Sequence, residues 1–344
     1  MNAAAKNYDG VNKYIRITDI DEASSTYTDK DIVSPDGILT DNYLVNNRDI
    51  LLARTGASTG KSYLYKQSDG KLYYAGFLIR ANVTTHDPYF VFSQLHTHRY
   101  WRWVSIMSAR SGQPGINSQE YSSFPIYTTS IEEESKIAKL LSLLDERIAT
   151  QSKIIEDLKK LKSAISENLF KAVKGDVVIL YEICEIIKGK QINGEFLSEK
   201  GKYYVMNGGT EPSGYYSDCN VEANTISISE GGNSCGYVQF NTSPFWSGGH
   251  CYTIQKIADN VDHLYLYHYL KSKEDAIMKL RIGSGLPNIQ KKDLAMFKIK
   301  LPTVEQQKSI STFLSSLERK AEIEEMLLNA MKKEKQYLLR QMFI

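Results

Sequence analysis

Ser111-Gly112-Gln113-Pro114-Gly115-Ile116 returns 173 residues later as Ser284-Gly285-Leu286-Pro287-Asn288-Ile289. The match continues without a gap to Phe170 in the first copy and Phe343 in the second. Phe124, Ile126, Glu132, Ile137, Leu141, Ser142, Leu144 and Phe170 fall on Phe297, Ile299, Glu305, Ile310, Leu314, Ser315, Leu317 and Phe343. Each copy reads as a Gly-Pro turn, a short Phe-x-Ile strand and a long helix. Two diverged copies of one unit imply a pseudo-symmetric object. Such an object suits a target with two related halves, of which double-stranded DNA is the commonest.

The helical part of each copy opens with a capping box, Ser130-x-x-Glu133 and Thr303-x-x-Gln306. Apolar residues then recur at alternating spacings of four and three: Ile137, Leu141, Leu144, Ile148, Ile155, Leu158, Ile165 and Leu169. The second copy carries Ile310, Leu314, Leu317, Ala321, Leu328, Met331, Leu338 and Met342. This is the pattern of a coiled-coil seam. Gln151 and Lys162 interrupt it in copy one, and Glu324 and Lys335 interrupt it at the same places in copy two. Polar seam residues at matched positions point to a fixed register. Neither helix holds an internal Pro or Gly, and about 40 residues give about 60 Å of helix. The short link after the first helix, with a whole domain between the two, favours an antiparallel pair. The expectation is an α+β protein: two mixed α/β domains separated by two long antiparallel coiled-coil helices, with a pseudo-two-fold internal repeat. The domain bounds read as 1–129, 130–177 for the first helix and linker, 178–302, and 303–344 for the second helix.

The variable parts are rich in Tyr, Gly, Asn and Thr. Apolar runs such as Tyr14–Ile17, Asp49–Ala53 and Gly76–Ala81 alternate with turn signals, which reads as short strands, with helix around Tyr89–Ser108. The two variable parts align weakly, Lys13-Tyr14 with Lys202-Tyr203, Gly56 and Gly60 with Gly232 and Gly236, and Gly76 with Gly249. Copy two has about 25 residues before Tyr203, and copy one has 13 before Tyr14.

A chain of 344 residues exceeds what one core usually supports, which agrees with more than one domain. No run of about 18 apolar residues is present and no apolar segment opens the chain, so neither a membrane span nor a secretory signal is expected. The four cysteines, Cys184, Cys219, Cys235 and Cys251, form no Cys-x-x-Cys pair, which suits reduced thiols in the cytoplasm. The six histidines include no His-Glu-x-x-His, and no metal site is expected. Net charge is +2, with basic and acidic residues balanced along the chain. Phosphate binding needs clustered Lys and Arg, so a DNA reading requires them gathered on one face or a partner that supplies backbone contacts.

Arg54-Thr55-Gly56-Ala57-Ser58-Thr59-Gly60-Lys61-Ser62 is the nearest approach to a catalytic motif. It imitates a phosphate-binding loop but is one residue short of G-x4-G-K-[ST], and a hairpin rather than a helix follows it. Bare N–H groups on such a turn, with Arg54 and Lys61 beside them, still suit DNA phosphates. No dinucleotide fingerprint, Asn-Pro-Pro motif or nucleophile elbow is present, so no catalysis by this chain alone is expected.

Several stretches together resemble the specificity subunit of a type I restriction–modification system. They are Tyr14-Ile15-Arg16-Ile17-Thr18-Asp19-Ile20, Asp49-Ile50-Leu51-Leu52-Ala53-Arg54-Thr55-Gly56, Tyr74-Ala75-Gly76-Phe77-Leu78-Ile79-Arg80, the Ser-Gly-x-Pro turns before each Phe-x-Ile strand, and the twin helices opening at Ile131-Glu132 and Val304-Glu305. The resemblance covers nearly the whole chain. It implies two target-recognition domains, each reading half of a split, asymmetric DNA site, with the helices setting the gap. It implies docking of two methyltransferase subunits that bind S-adenosylmethionine and methylate adenine. Motor–nuclease subunits that use ATP and Mg would join them, an antiphage defence assembly. The specificity subunit holds no catalytic residue and binds no cofactor in that scheme. The first recognition domain looks shortened at its start.

Base reading needs paired donors or acceptors at a groove edge. Candidate DNA-binding residues in copy one are Arg54, Ser58, Lys61, Arg80, Arg110 and Gln113. In copy two they are Lys188, Lys190, Gln191, Asn207, Asn233, Arg281 and Ser284. Arg110-Ser111-Gly112 and Arg281-Ile282-Gly283-Ser284-Gly285 stand out because an Arg beside a Gly-rich loop recurs. The seam residues Ile137, Leu141, Leu144, Ile148, Ile155, Leu158, Ile310, Leu314, Leu317, Leu328, Met331 and Leu338 are the candidates for docking methyltransferase subunits. Two other classes stay open on the residues alone: a coiled-coil adaptor that binds proteins, and a nucleotide hydrolase built on Lys61.

Overall fold

A computed structural model describes residues 1–109, 113–283 and 287–343. The chain forms two compact units, one of residues 1–153 with 325–344 and one of residues 154–324. Each therefore combines one variable domain with part of each long helix.

The first unit holds β1 (Ala4–Asn7), β2 (Lys13–Ile15), β3 (Val33–Asp36), β4 (Asp49–Ala53), β5 (Ser62–Leu64), β6 (Leu72–Tyr74) and β7 (Leu78–Asn82). Helices α1 (Pro88–Gln94), α2 (His98–Met107) and α3 (Ser118–Ser122) follow, then the start of α4 (Ile131–Ala172). The all-buried run Asp49–Ala53 becomes the centre of a sheet ordered β5-β4-β7, antiparallel throughout. β2 and β6 pair in parallel. The helices pack on one face, where Ile50, Leu52 and Leu64 meet Phe92, Tyr100, Val104, Tyr121 and Phe124.

The second unit adds β8 (Asp176–Ile179), α5 (Leu180–Ile183), β9 (Glu185–Lys188), β10 (Tyr203–Met206), β11 (Tyr215–Tyr216), β12 (Thr225–Ser229), β13 (Val238–Asn241), β14 (Trp246–Ser247) and β15 (Cys251–Gln255). After them come α6 (His263–Ser272), α7 (Glu274–Met278), α8 (Lys291–Ala295), β16 (Lys298–Leu301) and α9 (Val304–Met342). Its main sheet is ordered β13-β12-β15-β9. β12, β13 and β15 thus repeat β4, β5 and β7, and β10 with β14 repeats the parallel pair β2 with β6. The register differs from the sequence alignment at one place. Ile15 faces Tyr74 and Met206 faces Ser247, so the counterpart of Tyr14 is Val205 rather than Tyr203. A slip of two residues keeps every side chain on its face, so patterning alone cannot detect it.

The long helices pair antiparallel within each unit. In the first, Lys335 Nζ meets Asp145 Oδ1 at 2.5 Å, and Phe343 packs edge-on against Phe90. In the second, Lys162 Nζ meets Glu318 Oε1 at 2.6 Å, and Phe170 packs edge-on against Tyr265. Lys162 and Lys335 are the residues that break the apolar seam, and Asp145 and Glu318 are themselves 173 residues apart. The same ion pair is therefore built twice. Leu141, Ile155, Leu314 and Met331 of the seam are buried, as is Gln151.

A second matched contact ties each helix to its domain. Glu134 Oε2 accepts from the N–H of Asp87, the residue that caps α1, at 2.9 Å. Its counterpart Gln307 accepts through Oε1 from the N–H of Asp262, the cap of α6, at 2.8 Å. Both side chains are fully buried. A buried acceptor stays satisfied only where the capping turn sits correctly, so this bond locks each domain to its helix.

Candidate nucleic-acid interface

The best candidate surface in each unit is the turn that leaves the central strand. After β4 the chain makes a short 3-10 turn over Gly56–Ser58, and Gly56 and Gly60 have φ of +74° and +95°. After β12 the turn passes through Gly232 and Gly236 with φ of +76° and +90°. Only glycine takes these conformations freely. Gly60 also lies so close to α2 that a Cβ there would sit 2.7 Å from Val104 Cγ1. Gly236 repeats this against α7, with Met278 Cγ 2.9 Å away. A single bridge pins each turn to the Gly-Pro loop ahead of the last short helix, Thr55 to Gly115 and Gly231 to Asn288. The duplication therefore preserves a loop framework and varies the side chains on it.

Arg54 and Glu230 occupy the same place at the mouth of this turn. Arg54 is exposed, and its side chain has no ion-pair partner among the described residues. The Gln113 side chain lies against Gly56, two residues further along. Glu230 is buried. Its Oε1 accepts from Lys188 Nζ at 2.6 Å and from Tyr252 Oη at 3.0 Å, while Oε2 lies 3.7 Å from His250 Nδ1. Burial and this carboxylate hold the Tyr252 hydroxyl well above the ordinary phenol range. The carboxylate thus positions Lys188, with His250 beside it.

The other candidates divide into loop and structural groups. Ser58 lies in the first turn, and Asn233 is exposed on the second. Gln191 and Lys190 are exposed just beyond β9. Gln191 packs against Gly249, and the Lys190 carbonyl accepts from the Trp246 indole at 2.9 Å. Asn207 accepts from the His250 N–H at 3.2 Å, so it joins the Glu230 group. Arg281 is exposed beside the Ile282–Asn288 bridge. Lys61 is largely covered and pairs with Glu22 at 2.9 Å. Arg80 donates to the Leu44 carbonyl at 2.8 Å and lies over the Tyr74 ring, so its groups are committed within the fold. Arg110 and Ser284 lie outside the described residues. Glu230, His250 and Glu22 were not read from the sequence. Glu230 was findable, because aligning Gly56 with Gly232 already places it on Arg54.

The phosphate-loop resemblance around Lys61 has no structural basis. Ser62–Leu64 is a strand, so no helix N-terminus follows the turn, and Lys61 is held by Glu22. The described residues contain no group of three or more His, Cys, Asp or Glu able to hold a metal ion. All four cysteines are free, and burial pushes the Cys251 thiol up to about 11.

A family model described as the type I restriction modification DNA specificity domain matches residues 1–160 and 173–333. The chain is 33% identical over 165 residues to a putative type I specificity subunit from Mycoplasma pneumoniae, covering 47% of this chain and 42% of that one. It is 25% identical over 286 residues to a putative type I restriction enzyme specificity subunit from Methanocaldococcus jannaschii, covering 72% and 65%. The chain thus spans about two fifths of the length of the first of these relatives. Among solved structures, the S subunit of a type I restriction–modification system from M. genitalium superimposes with a TM-score of 0.70 at 19% identity, over 98% of this chain and 89% of that one. A duplicated α+β unit on paired helices is the architecture of such subunits. The chain belongs to the type I restriction–modification specificity family.

Proposed function

We propose that this chain is the sequence-reading, non-catalytic subunit of a type I restriction–modification complex. Its two units read the two parts of a bipartite, asymmetric duplex site, with the paired helices setting the gap and docking methyltransferase subunits. The observation that carries this reading is the turn repeated on a shared framework, offering Arg54 and Gln113 in one unit and, in the other, Lys188 and His250 around Glu230 with Asn233 exposed on the turn. Arg suits guanine, and Asn and Gln suit adenine. A near-neutral chain fits a complex in which partners contribute phosphate contacts. S-adenosylmethionine, ATP and Mg belong to those partners, and motor–nuclease subunits complete the assembly. No helix among the described residues is long and apolar enough to cross a membrane.

Methylome sequencing of cells with and without the gene tests the proposal. A two-part adenine-methylation motif with a fixed gap should vanish with the gene. An unchanged methylome, together with DNA binding insensitive to salt, would favour a protein-binding adaptor.

A further inference from the structure

The pairing that ends β4 and β12 runs one residue beyond the strands. Ala53 stands opposite Leu78, and in the next pair Arg54 N–H donates to the Phe77 carbonyl at 3.0 Å. Ser229 stands opposite Cys251, and Glu230 N–H donates to the His250 carbonyl at 2.9 Å. The far side of Arg54 and Glu230 is tied alike. Their carbonyls accept from Ile116 N–H at 2.9 Å and from Ile289 N–H at 2.8 Å. The turn entering the opposite strand is matched too. Leu78 N–H donates to the Ala75 carbonyl at 2.9 Å, and Cys251 N–H to the Gly248 carbonyl at 3.1 Å. Phe77 and His250, themselves 173 residues apart, are therefore one framework position built twice.

Residues directly opposite in an antiparallel pair project to the same face. The second unit shows this in its side chains, since His250 Nδ1 lies 3.7 Å from Glu230 Oε2. In the first unit the same relation sets Phe77 on the face of Arg54. Both rings are exposed, Phe77 at 64% and the His250 side chain at 62%, while the next residues, Leu78 and Cys251, are 3% and 2% exposed. Strand alternation accounts for an outward residue at this place. It does not account for a ring there in both units, one of them wholly apolar, where a small polar residue would cost nothing.

We infer that residues 77 and 250 each read one base in the half-site of their own unit, and that Phe77 reads a thymine through its 5-methyl group. This rests on the functional reading above. The thymine methyl is the apolar group that a base edge presents in the major groove, so a phenylalanine held there selects thymine. His250, with Nδ1 turned to Glu230, offers its other ring nitrogen to a polar base edge. The two half-sites differ at this place because one framework position carries two chemistries.

The test is selection from randomised duplex DNA by the chain assembled with the methyltransferase subunits proposed above, with Phe77→Ala, Phe77→Leu and His250→Ala beside the unaltered chain. Phe77→Ala should lose the preference for one thymine in one part of the motif. Phe77→Leu, which keeps an apolar contact, should retain it. His250→Ala should relax one position in the other part. Replacing that thymine by deoxyuridine should weaken binding of the unaltered chain about fourfold, the value of one buried methyl-sized group, and leave binding of Phe77→Ala unchanged. Loss of the preference with leucine too, or across the whole part, would overturn the methyl contact. So would a rise in the fluorescence of 2-aminopurine placed beside that thymine, which would show the ring wedged between base pairs. A two-part motif unchanged by Phe77→Ala would overturn the assignment and leave the functional reading standing. No two-part motif with the unaltered chain would overturn both.

Discussion

Arg54 and Glu230 show how one backbone position carries opposite charges in the two units, since the two turns share their glycines while their side chains differ. Arg54→Ala should relax base preference at one or two positions in a single half of the site and leave the other half unchanged, as read by selection from randomised DNA. Gly60→Ala should destabilise the first unit by about 1–2 kcal/mol through its positive φ alone, and by more because Val104 stands in the way. Urea midpoints check this. His268 is buried, donates to or accepts from Ser315 Oγ at 2.9 Å, and has its pKa lowered by burial to about 4. Below the ordinary value of 6.5 the unfolded chain takes up a proton that the folded chain refuses, so stability falls as pH drops from about 6.5 to about 4. The span corresponds to about 3 kcal/mol. His268→Asn should remove one proton's share of that slope, leaving the share of His96, whose pKa burial also lowers to about 4, and an unchanged slope would contradict the assignment. At this scale the sequence revealed the Gly turns. It did not reveal the Glu230 group, because Lys188, Asn207 and His250 converge only once β9, β10 and β15 are placed.

At the scale of elements, the two long helices are the most legible part of the chain. Their caps and seam follow from local periodicity, and Ser130 Oγ does accept from Glu133 N–H at 3.3 Å. The sequence also marked Lys162 and Lys335 as breaks, but not their partners, because those depend on the antiparallel register and not on spacing along one helix. Tyr89 Oη donates to Asp145 at 2.6 Å and Tyr267 Oη to Glu318 at 3.0 Å, so each acid is gripped twice. Lys335→Met should cost about 1–2 kcal/mol, between the values for exposed and buried pairs, since the groups are only partly covered. A double-mutant cycle with Asp145→Asn should show positive coupling, and the Lys162–Glu318 cycle should match it closely. Absent coupling in both would show that the pairs do not fix the register. The domains were less legible: strands of two to five residues carry weak patterns, which is why Tyr14 was matched to Tyr203 rather than to Val205.

At the scale of the whole molecule, duplication is the central fact, and it was plain in the gapless match from Ser111 to Phe170. The most direct test is selection from randomised duplex DNA by the chain assembled with the methyltransferase subunits proposed above, repeated after residues 203–290 are exchanged for those of a relative. The expected result is an enriched motif in two parts with a constant gap, of which the exchange alters one part alone. A single continuous motif, no enrichment, or a change in both parts would contradict it.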